Sequence, residues 1–444
     1  MTRPLTFARG GISIPTRSQE SRTAPVSNAP VPSVAVVSMG RRQGPPAECL
    51  VAPGDHVAEG QVIGRPGGGY SVPVHAPIPG TVAEVRDTLL PDGTAGAAAV
   101  IELGGAFTQS GRPRPARAWA HLGPAEIVAA IGEAGVDLDG YPQPLAVRLR
   151  SASSRPRQVL IVNTVESDPW LAAESRLIAD RPAEVAEGVR IVQAALACPR
   201  AVLAVTGDSA PAAERTVAAC RAAGGSLETA VFDARFPQEE ESRLACALLG
   251  REPPRGGTAL DIGAVVVSAS SLVAVRDAVV LGKPCFERVV TVAGPALRTP
   301  RNLKVRIGTR AGELVEEAGG LARAPAAVVF GSAMQGHAFA AEADWRDIPV
   351  TRETSAVLLL TRRVLARGRE RPCLRCGRCA DVCPWGLVPV RLYELAGSGS
   401  LAQASAEGLG ACRGCGCCSY ACPSHLPLSA GLREAQARST GGAA

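Results

Sequence analysis

The chain has 444 residues, 46% of them hydrophobic, and a formal charge of +6 from 47 basic and 41 acidic side chains. That length exceeds one ordinary hydrophobic core and implies about two to four domains. The mild, scattered charge, with aromatics at only 3%, argues against a nucleic-acid-binding patch, and no apolar run is long enough to span a bilayer. Residues 1–30 are polar and lack the apolar stretch of a secretory signal, so the expected location is the cytoplasm. Of 14 cysteines, nine fall between Cys373 and Cys422. In a long chain of this kind such clustering points to metal and away from a disulfide framework. Lysine occurs only at Lys283 and Lys304, so arginine can stand where a relative carries lysine.

In chain order, residues 1–35 read as an extended N-terminal segment containing Gly10-Gly11-Ile12. Residues 36–103 are rich in Val, Gly and Pro with short alternating strands. Their turns, Gly54-Asp55 and Gly60-Gln61, followed by Ala76-Pro77-Ile-Pro-Gly80-Thr81-Val82, resemble a barrel-sandwich hybrid of the lipoyl and biotinyl type. A carrier domain of that type places a lysine at its hairpin tip. None stands here, so the expected role is scaffolding or docking without a prosthetic group. His56 and His75 lie in turns, and neither is assigned to metal.

Near the C-terminus two segments repeat one pattern. The first is Cys373-Leu-Arg-Cys376-Gly-Arg-Cys379-Ala-Asp-Val-Cys383-Pro384, and the second is Cys412-Arg-Gly-Cys415-Gly-Cys417-Cys418-Ser-Tyr-Ala-Cys422-Pro423. Each reads C-x2-C-x2-C-x3-C-P, the run with which bacterial-type ferredoxins hold 4Fe–4S clusters, the fourth cysteine of each run serving the other cluster. Cys373, Cys376 and Cys379 are therefore expected to share one cluster with Cys422. Cys412, Cys415 and Cys418 share the second with Cys383. Cys417 is surplus. Zinc ribbons also use C-x2-C pairs, but two complete runs, each closed by Cys-Pro, favour clusters.

The ordered combination of Gly10-Gly11-Ile12, the hybrid segment, Leu160-Ile161-Val162-Asn163-Thr-Val-Glu166-Ser167-Asp168-Pro169-Trp170-Leu171, Gly282-Lys283-Pro284, Arg288-Val289-Val290-Thr291-Val292-x-Gly294, Asn302, Ile307-Gly308-Thr309, Gly331-x-x-Met334-x-Gly336 and the double cysteine run resembles the RnfC family, which supplies one component of the Rnf electron-transport complex. That family is related to the flavin- and NADH-binding subunit of respiratory complex I. The resemblance covers nearly all of residues 8–430. It implies a multidomain α/β plus β architecture: the hybrid domain at 36–103, an FMN/NADH-binding-like α/β domain at 104–285 and an SLBB-type β-grasp domain at 286–350. A double 4Fe–4S ferredoxin domain at 351–430 and a disordered tail at 431–444 complete it. It also implies cofactor-binding roles for Asn163, Glu166, Asp168, Arg148 and Glu241. Glu166 and Asp168, which precede Pro169 and an apolar helical stretch, have a second reading as helix-start residues.

Departures from the family pattern fall where flavin chemistry should sit. The family's glycine-rich loop, Gly-x-Gly-Gly-Ala-Gly-Phe-Pro-Thr, is replaced by Gly132-Glu-Ala-Gly135-Val136-Asp137-Leu138-Asp139-Gly140-Tyr141-Pro142. Side chains there block close backbone approach, and the two acids repel a phosphate. Arg148 takes the place of the family's lysine. Ser268 stands where the family has a flavin-bonding asparagine, and Phe236-Pro237-Gln238-Glu239-Glu240-Glu241 lacks the glycines of its counterpart. FMN and NADH therefore stay open. With flavin, the chain is an oxidoreductase subunit of NADH dehydrogenase type. Without it, the chain relays electrons between a donor flavoprotein and an acceptor reductase, membrane Rnf-type subunits included, with a location in the cytoplasm or on the inner face of the cell membrane. Two further readings stand beside these: a dedicated soluble electron donor resembling cobalamin reductases and proline-reductase donors, and a scaffold whose clusters sense redox state.

Overall fold

Short, wholly apolar runs make the central strands of this protein. In the computed structural model, which describes residues 3–40, 44–107, 115–155, 159–365 and 368–441, Val159–Asn163, Ala201–Thr206, Glu228–Phe232 and Ala264–Ser268 form a four-stranded sheet. Every pairing in it is parallel, with Asn163 opposite both Ala204 and Ser268. Parallel strands are covered on both faces, which explains why runs such as Val159-Leu-Ile-Val carry no polar alternation. Helices Pro124–Glu133, Leu145–Ser153, Ala173–Asp180, Pro182–Leu196, Ala210–Ala222, Glu241–Leu249 and Ala269–Leu281 complete this α/β domain. Strand order is 228–232, 201–206, 159–163, 264–268. The chain winds outward on one side of 159–163 and then returns to its other side. The topological switch point therefore lies between Asn163 and Ser268, at the carboxyl ends of both strands.

Two antiparallel sheets form the hybrid domain. One holds Val34–Ser38, His56–Val57, Gly80–Leu89 and Ala95–Leu103, and the other Glu48–Cys49, Val62–Arg65 and Val74–His75. Their shared core includes Ala35, Val37, Met39, Ile63, Val74, Ile78, Val82 and Ile101. His56 is exposed, with Nδ1 3.0 Å from the Thr81 hydroxyl. His75 is buried, and desolvation, aided by Arg352, lowers its pKa to about 4, so its ring is neutral at physiological pH.

The β-grasp domain is a six-stranded sheet in the order 27–28, 301–306, 287–293, 356–360, 327–330, 337–340. Its extent corrects the boundary expected at residue 350. Ala356–Leu360 pairs with Glu287–Ala293 on one side and Ala327–Phe330 on the other, so the sheet runs to Leu360. A five-residue apolar run flanked by polar residues is a buried inner strand, and all five residues are buried.

Residues 3–35 of the N-terminal segment do more than extend. Leu5 bridges to Phe232 at the α/β edge, Ile12 bridges to Phe236, and Gly11 N–H donates to Val382 O in the cluster domain. Asn302 Nδ2 donates to Ser21 O, and Ser27–Asn28 adds a strand to the β-grasp sheet. At Gly10, with φ +68°, a Cβ atom would lie 2.5 Å from the Cys383 carbonyl carbon, so only glycine lets this segment pass the cysteine turn.

The tail expected to be disordered from residue 431 is helical through Gly441 in helix Leu428–Gly441, while 442–444 lie outside the described residues. Leu428, Leu432 and Ala435, at helical spacing, are buried, and Gln436 Nε2 donates to Leu409 O and Cys412 O. The small residues at the chain end hide an apolar stripe one turn earlier. Leu432→Ala is expected to cost about 2–5 kcal/mol, read as a lower thermal midpoint of the C-terminal domain together with loss of bound iron. An unchanged midpoint would mean that the helix contributes nothing to the cysteine fold.

Candidate cofactor sites

The first site lies at the two cysteine runs. Each third cysteine stands in a short helix, Arg378–Asp381 or Cys417–Ala421, entered through a glycine at positive φ, Gly377 or Gly416. Folding the runs against each other places Cys383 within electrostatic reach of Cys412, Cys415 and Cys418. Cys379 and Cys422 share a buried cluster with Cys418, Leu426 and Leu428. Burial raises the thiols of Cys379 and Cys383, and pushes Cys412 up to about 11 and Cys418 up to about 12. Cys415 is raised well above the usual thiol range, first by its hydrogen bond with Cys417 and then by burial. Such thiols are protonated until iron displaces their protons. Cys417 is fully buried, its Sγ 3.9 Å from Phe236 O. That placement gives the surplus thiol a packing role at the domain interface.

The donor set, two complete C-x2-C-x2-C-x3-C-P runs folded against each other, fits 4Fe–4S clusters, in which each thiolate binds a separate iron. The two cysteine turns also differ in surroundings. Cys373 and Cys376 are exposed, and Leu374 between them retains 69% exposure. The close of the first run and the second run face inward: Arg243 Nη1 donates to Pro384 O at 2.9 Å with its guanidinium over the Trp385 ring, and Arg413 Nη2 donates to Gly257 O at 2.9 Å.

The second site lies at the switch point of the parallel sheet, where open α/β folds receive ligands. Arg148 on helix Leu145–Ser153 is buried. It donates to Asp139 Oδ2 at 3.1 Å and to Val266 O, lies 3.7 Å from Glu241 Oε2, and stacks 4.0 Å from the Tyr141 ring centroid. Asp139 Oδ1 accepts from Ser268 N, Ser268 Oγ and Ser271 Oγ at 3.3, 2.5 and 2.7 Å. Glu174 accepts from Ser270 N and Oγ at 2.8 and 2.5 Å. Of the sequence candidates, Arg148 and Glu241 thus meet in one ionic network. Asn163 is spent on Glu239 O and its own turn. Glu166 accepts from Glu174 N, Ser175 N and Ser175 Oγ, capping helix Ala173–Asp180. Asp168 accepts from Trp170 N and from Ser332 Oγ at 2.7 Å, tying the segment after the inner strand Val159–Asn163 to the β-grasp loop. The helix-start reading describes Glu166.

Sequence reasoning missed Glu174 and Glu239. Ser268-Ala-Ser270-Ser271 after a strand does signal a helix start, but the carboxylates that meet it lie 129 and 96 residues away. Glu239 accepts from Ser167. Burial raises both Glu174 and Glu239 to about 7, and it also raises Glu166, Asp168 and Glu241.

Fold and sites together define an iron–sulfur electron-transfer protein built on an FMN-type α/β domain. Comparisons with known proteins agree: a model of the RnfC barrel sandwich hybrid domain matches residues 6–106, the Nuo51 FMN-binding domain residues 131–277, the SLBB domain residues 289–336 and the 4Fe-4S dicluster domain residues 367–423. The chain is 31% identical over 388 residues, 87% of its length and 84% of the relative's, to the RnfC-type component of the proton-translocating ferredoxin:NAD(+) oxidoreductase complex of Clostridium ljungdahlii. It belongs to the RnfC family of electron-transfer subunits. Chains of NAD+-reducing [NiFe]-hydrogenase share the fold. The H2-reduced form gives a TM-score of 0.52 and the air-oxidised form 0.50, both at 19% identity over 71% of this chain. The alignments span 61% and 66% of those chains, under two thirds of their length.

FMN and 4Fe–4S clusters are the cofactors that go with these domain types. The cysteine runs fit the clusters. The switch-point residues do not fit an FMN phosphate, because two carboxylates already hold the donors at the start of helix Ala269–Leu281. A buried acid whose folded pKa lies above its unfolded value stabilises the fold at low pH and loses that contribution as pH rises through the folded pKa. Stability is therefore expected to fall between about pH 5 and pH 8 through Glu174 and Glu239, each pKa unit being worth about 1.4 kcal/mol. The double variant Glu174→Gln/Glu239→Gln should flatten that fall in denaturant titrations across the range. A wild-type pH profile retained by the variant would remove these two groups as the cause.

Proposed function

We propose that the chain relays electrons through two 4Fe–4S clusters, the first held by Cys373, Cys376, Cys379 and Cys422 and the second by Cys412, Cys415, Cys418 and Cys383. The observation that carries this reading is the position of Cys383 among the three thiols of the other run. The second cluster faces the α/β domain, braced by Arg243 and Arg413. The first lies at the surface behind the exposed Cys373–Cys376 turn. Inner and outer clusters make a wire with one end open to a partner protein. Arg369, Arg371, Arg375 and Arg378 lie in or just before the first cysteine run, and all are exposed, so an acidic partner is favoured there.

By the example of its relative, the chain works as one component of a larger complex acting between ferredoxin and NAD(+). No helix among the described residues is long and apolar enough to cross a membrane. We place the chain on the inner face of the cell membrane, held by partner subunits.

Iron and acid-labile sulfide of the anaerobically purified chain test the reading directly. About eight of each are expected for two cubanes, while about one or two zinc ions and no sulfide would refute it. Cys379→Ser should damage the first cluster and Cys383→Ser the second, resolved by EPR of the reduced variants. Loss of the same cluster in both would refute the crossed ligation.

A further inference from the structure

The N-terminus of a helix at the switch point of a parallel sheet is a ready anion site, since its N–H groups and dipole point at whatever lies there. In this protein helix Ala269–Leu281 occupies that position, and the donors of Ser268, Ser270 and Ser271 at its start are already taken by the chain's own side chains. Ser268 N–H and hydroxyl, and the Ser271 hydroxyl, donate to Asp139. Ser270 N–H and hydroxyl donate to Glu174. Ser271 N–H donates to Ser268 Oγ at 3.1 Å. The nearby cation is taken as well: Arg148 is bonded to Asp139 and Val266 O, paired with Glu241 and covered by Tyr141.

We propose that Asp139 and Glu174 act as a built-in substitute for the flavin phosphate, so that the FMN-type domain of this chain holds no FMN. Three arguments converge. The two elements that would have to part around a flavin, the loop 135–142 and the start of helix Ala269–Leu281, are joined by three direct hydrogen bonds to one carboxylate oxygen. A phosphate entering the seat would strip Asp139 and Glu174 of their donors and leave both buried beside a dianion, with Glu166 and Glu241 close to them. Arg148 and the buried Arg288 are cations within reach of these carboxylates, and they would then face two freed acids and a dianion together, an excess of buried negative charge. Finally, Arg148 would have to break an ion pair and a bond to a strand carbonyl to meet a phosphate there, and Arg288, the other buried arginine near these acids, already donates to Arg352 O.

The consequence deepens the relay reading, on which it rests. A hydride delivers two electrons together, and a flavin is the group that accepts them and releases them singly. With the flavin seat filled, the FMN-type domain offers no group that accepts a hydride, and each cluster exchanges one electron. Both the donor and the acceptor of this chain are then one-electron protein carriers.

The test uses the full chain, reconstituted anaerobically with iron, sulfide and excess FMN and then desalted. Iron and released flavin are measured on the same sample. The expected result is about eight irons with flavin at background. Stoichiometric retained flavin overturns the proposal, whereas an iron shortfall bears on the cluster reading alone. The cause is tested with Asp139→Gly/Glu174→Gln, which opens the seat, and with the isosteric Asp139→Asn, which removes one charge and disturbs packing least. Each is expected to gain a thermal upshift with inorganic phosphate that the wild type lacks, and the double variant is expected to retain FMN. If Asp139→Asn, folded by circular dichroism and iron content, is as indifferent to phosphate as the wild type, these carboxylates are not what fills the seat.

Discussion

Asp139 lies between the serine donors at the start of helix Ala269–Leu281 and the guanidinium of Arg148, and the α/β domain is organised around that contact. It joins the loop after helix Pro124–Glu133 to the end of strand Ala264–Ser268, and through Arg148 it reaches Val266 O and Glu241 on a third element. A carboxylate buried this deeply is tolerable only when its oxygens are fully bonded and a countercharge is near. Asp139 has both. The same requirement explains Glu174, Glu166 and Glu239, each of which accepts from serine hydroxyls or from N–H groups in its vicinity. What in the related domains is a place for a ligand is here a network whose donors are matched to acceptors of the same chain.

A second set of contacts fixes the α/β domain against the cysteine runs. The N-terminal segment passes between them, bridging Leu5 to Phe232 and Ile12 to Phe236, while Gly10 and Gly11 fit against Val382 and Cys383. Arg235 donates to Gly10 O, and Arg243 to Pro384 O. Cys383 is the ligand expected to cross between clusters, so the residue whose position matters most to the second cluster is also the one held from outside its own domain. The β-grasp loop adds a further brace, since Asp168 holds Ser332, and Met334 O lies against Gly416 at the entry to the second cysteine helix.

Much of this was legible in the sequence, for identifiable reasons. The cysteine runs encode their geometry in their spacing, since a cubane corner and a three-residue step are matched in size. The hybrid domain and the parallel strands were readable from turn residues and apolar runs, which report local structure. The β-grasp boundary was misplaced because Ala356–Leu360 is separated from its strand partners by intervening loops and turns, so nothing local ties it to them. The C-terminal helix was missed because Ala, Gly and Ser dominate the chain end, while the Leu428, Leu432 and Ala435 stripe that docks it is sparse. At the switch point, the losses of glycine were visible and so was the added negative charge. The sequence could not reveal where those acids point: Asp139 reads as a repulsive charge in a loop until the fold brings Ser268 and Ser271 to it.

The contrast between the two cysteine turns gives the domain its direction. Cys383 and the second run are enclosed by Arg243, Trp385, Arg413 and the β-grasp loop, which bring protein dipoles and side chains close to these thiols. The first run is open at Cys373 and Cys376. Cluster potentials respond to hydrogen bonding at sulfur and to solvent exposure, so these two environments give the clusters unequal potentials even with identical ligand sets. On the proposed filling of the ligand seat, the enclosed cluster has no small-molecule donor at hand, and the exposed turn at Cys373 and Cys376 is an open approach to the other cluster. Electrons in such an arrangement enter and leave under the control of protein docking. The large α/β domain then serves as the rigid body that presents the wire, holding its inner end through arginines and its outer end free.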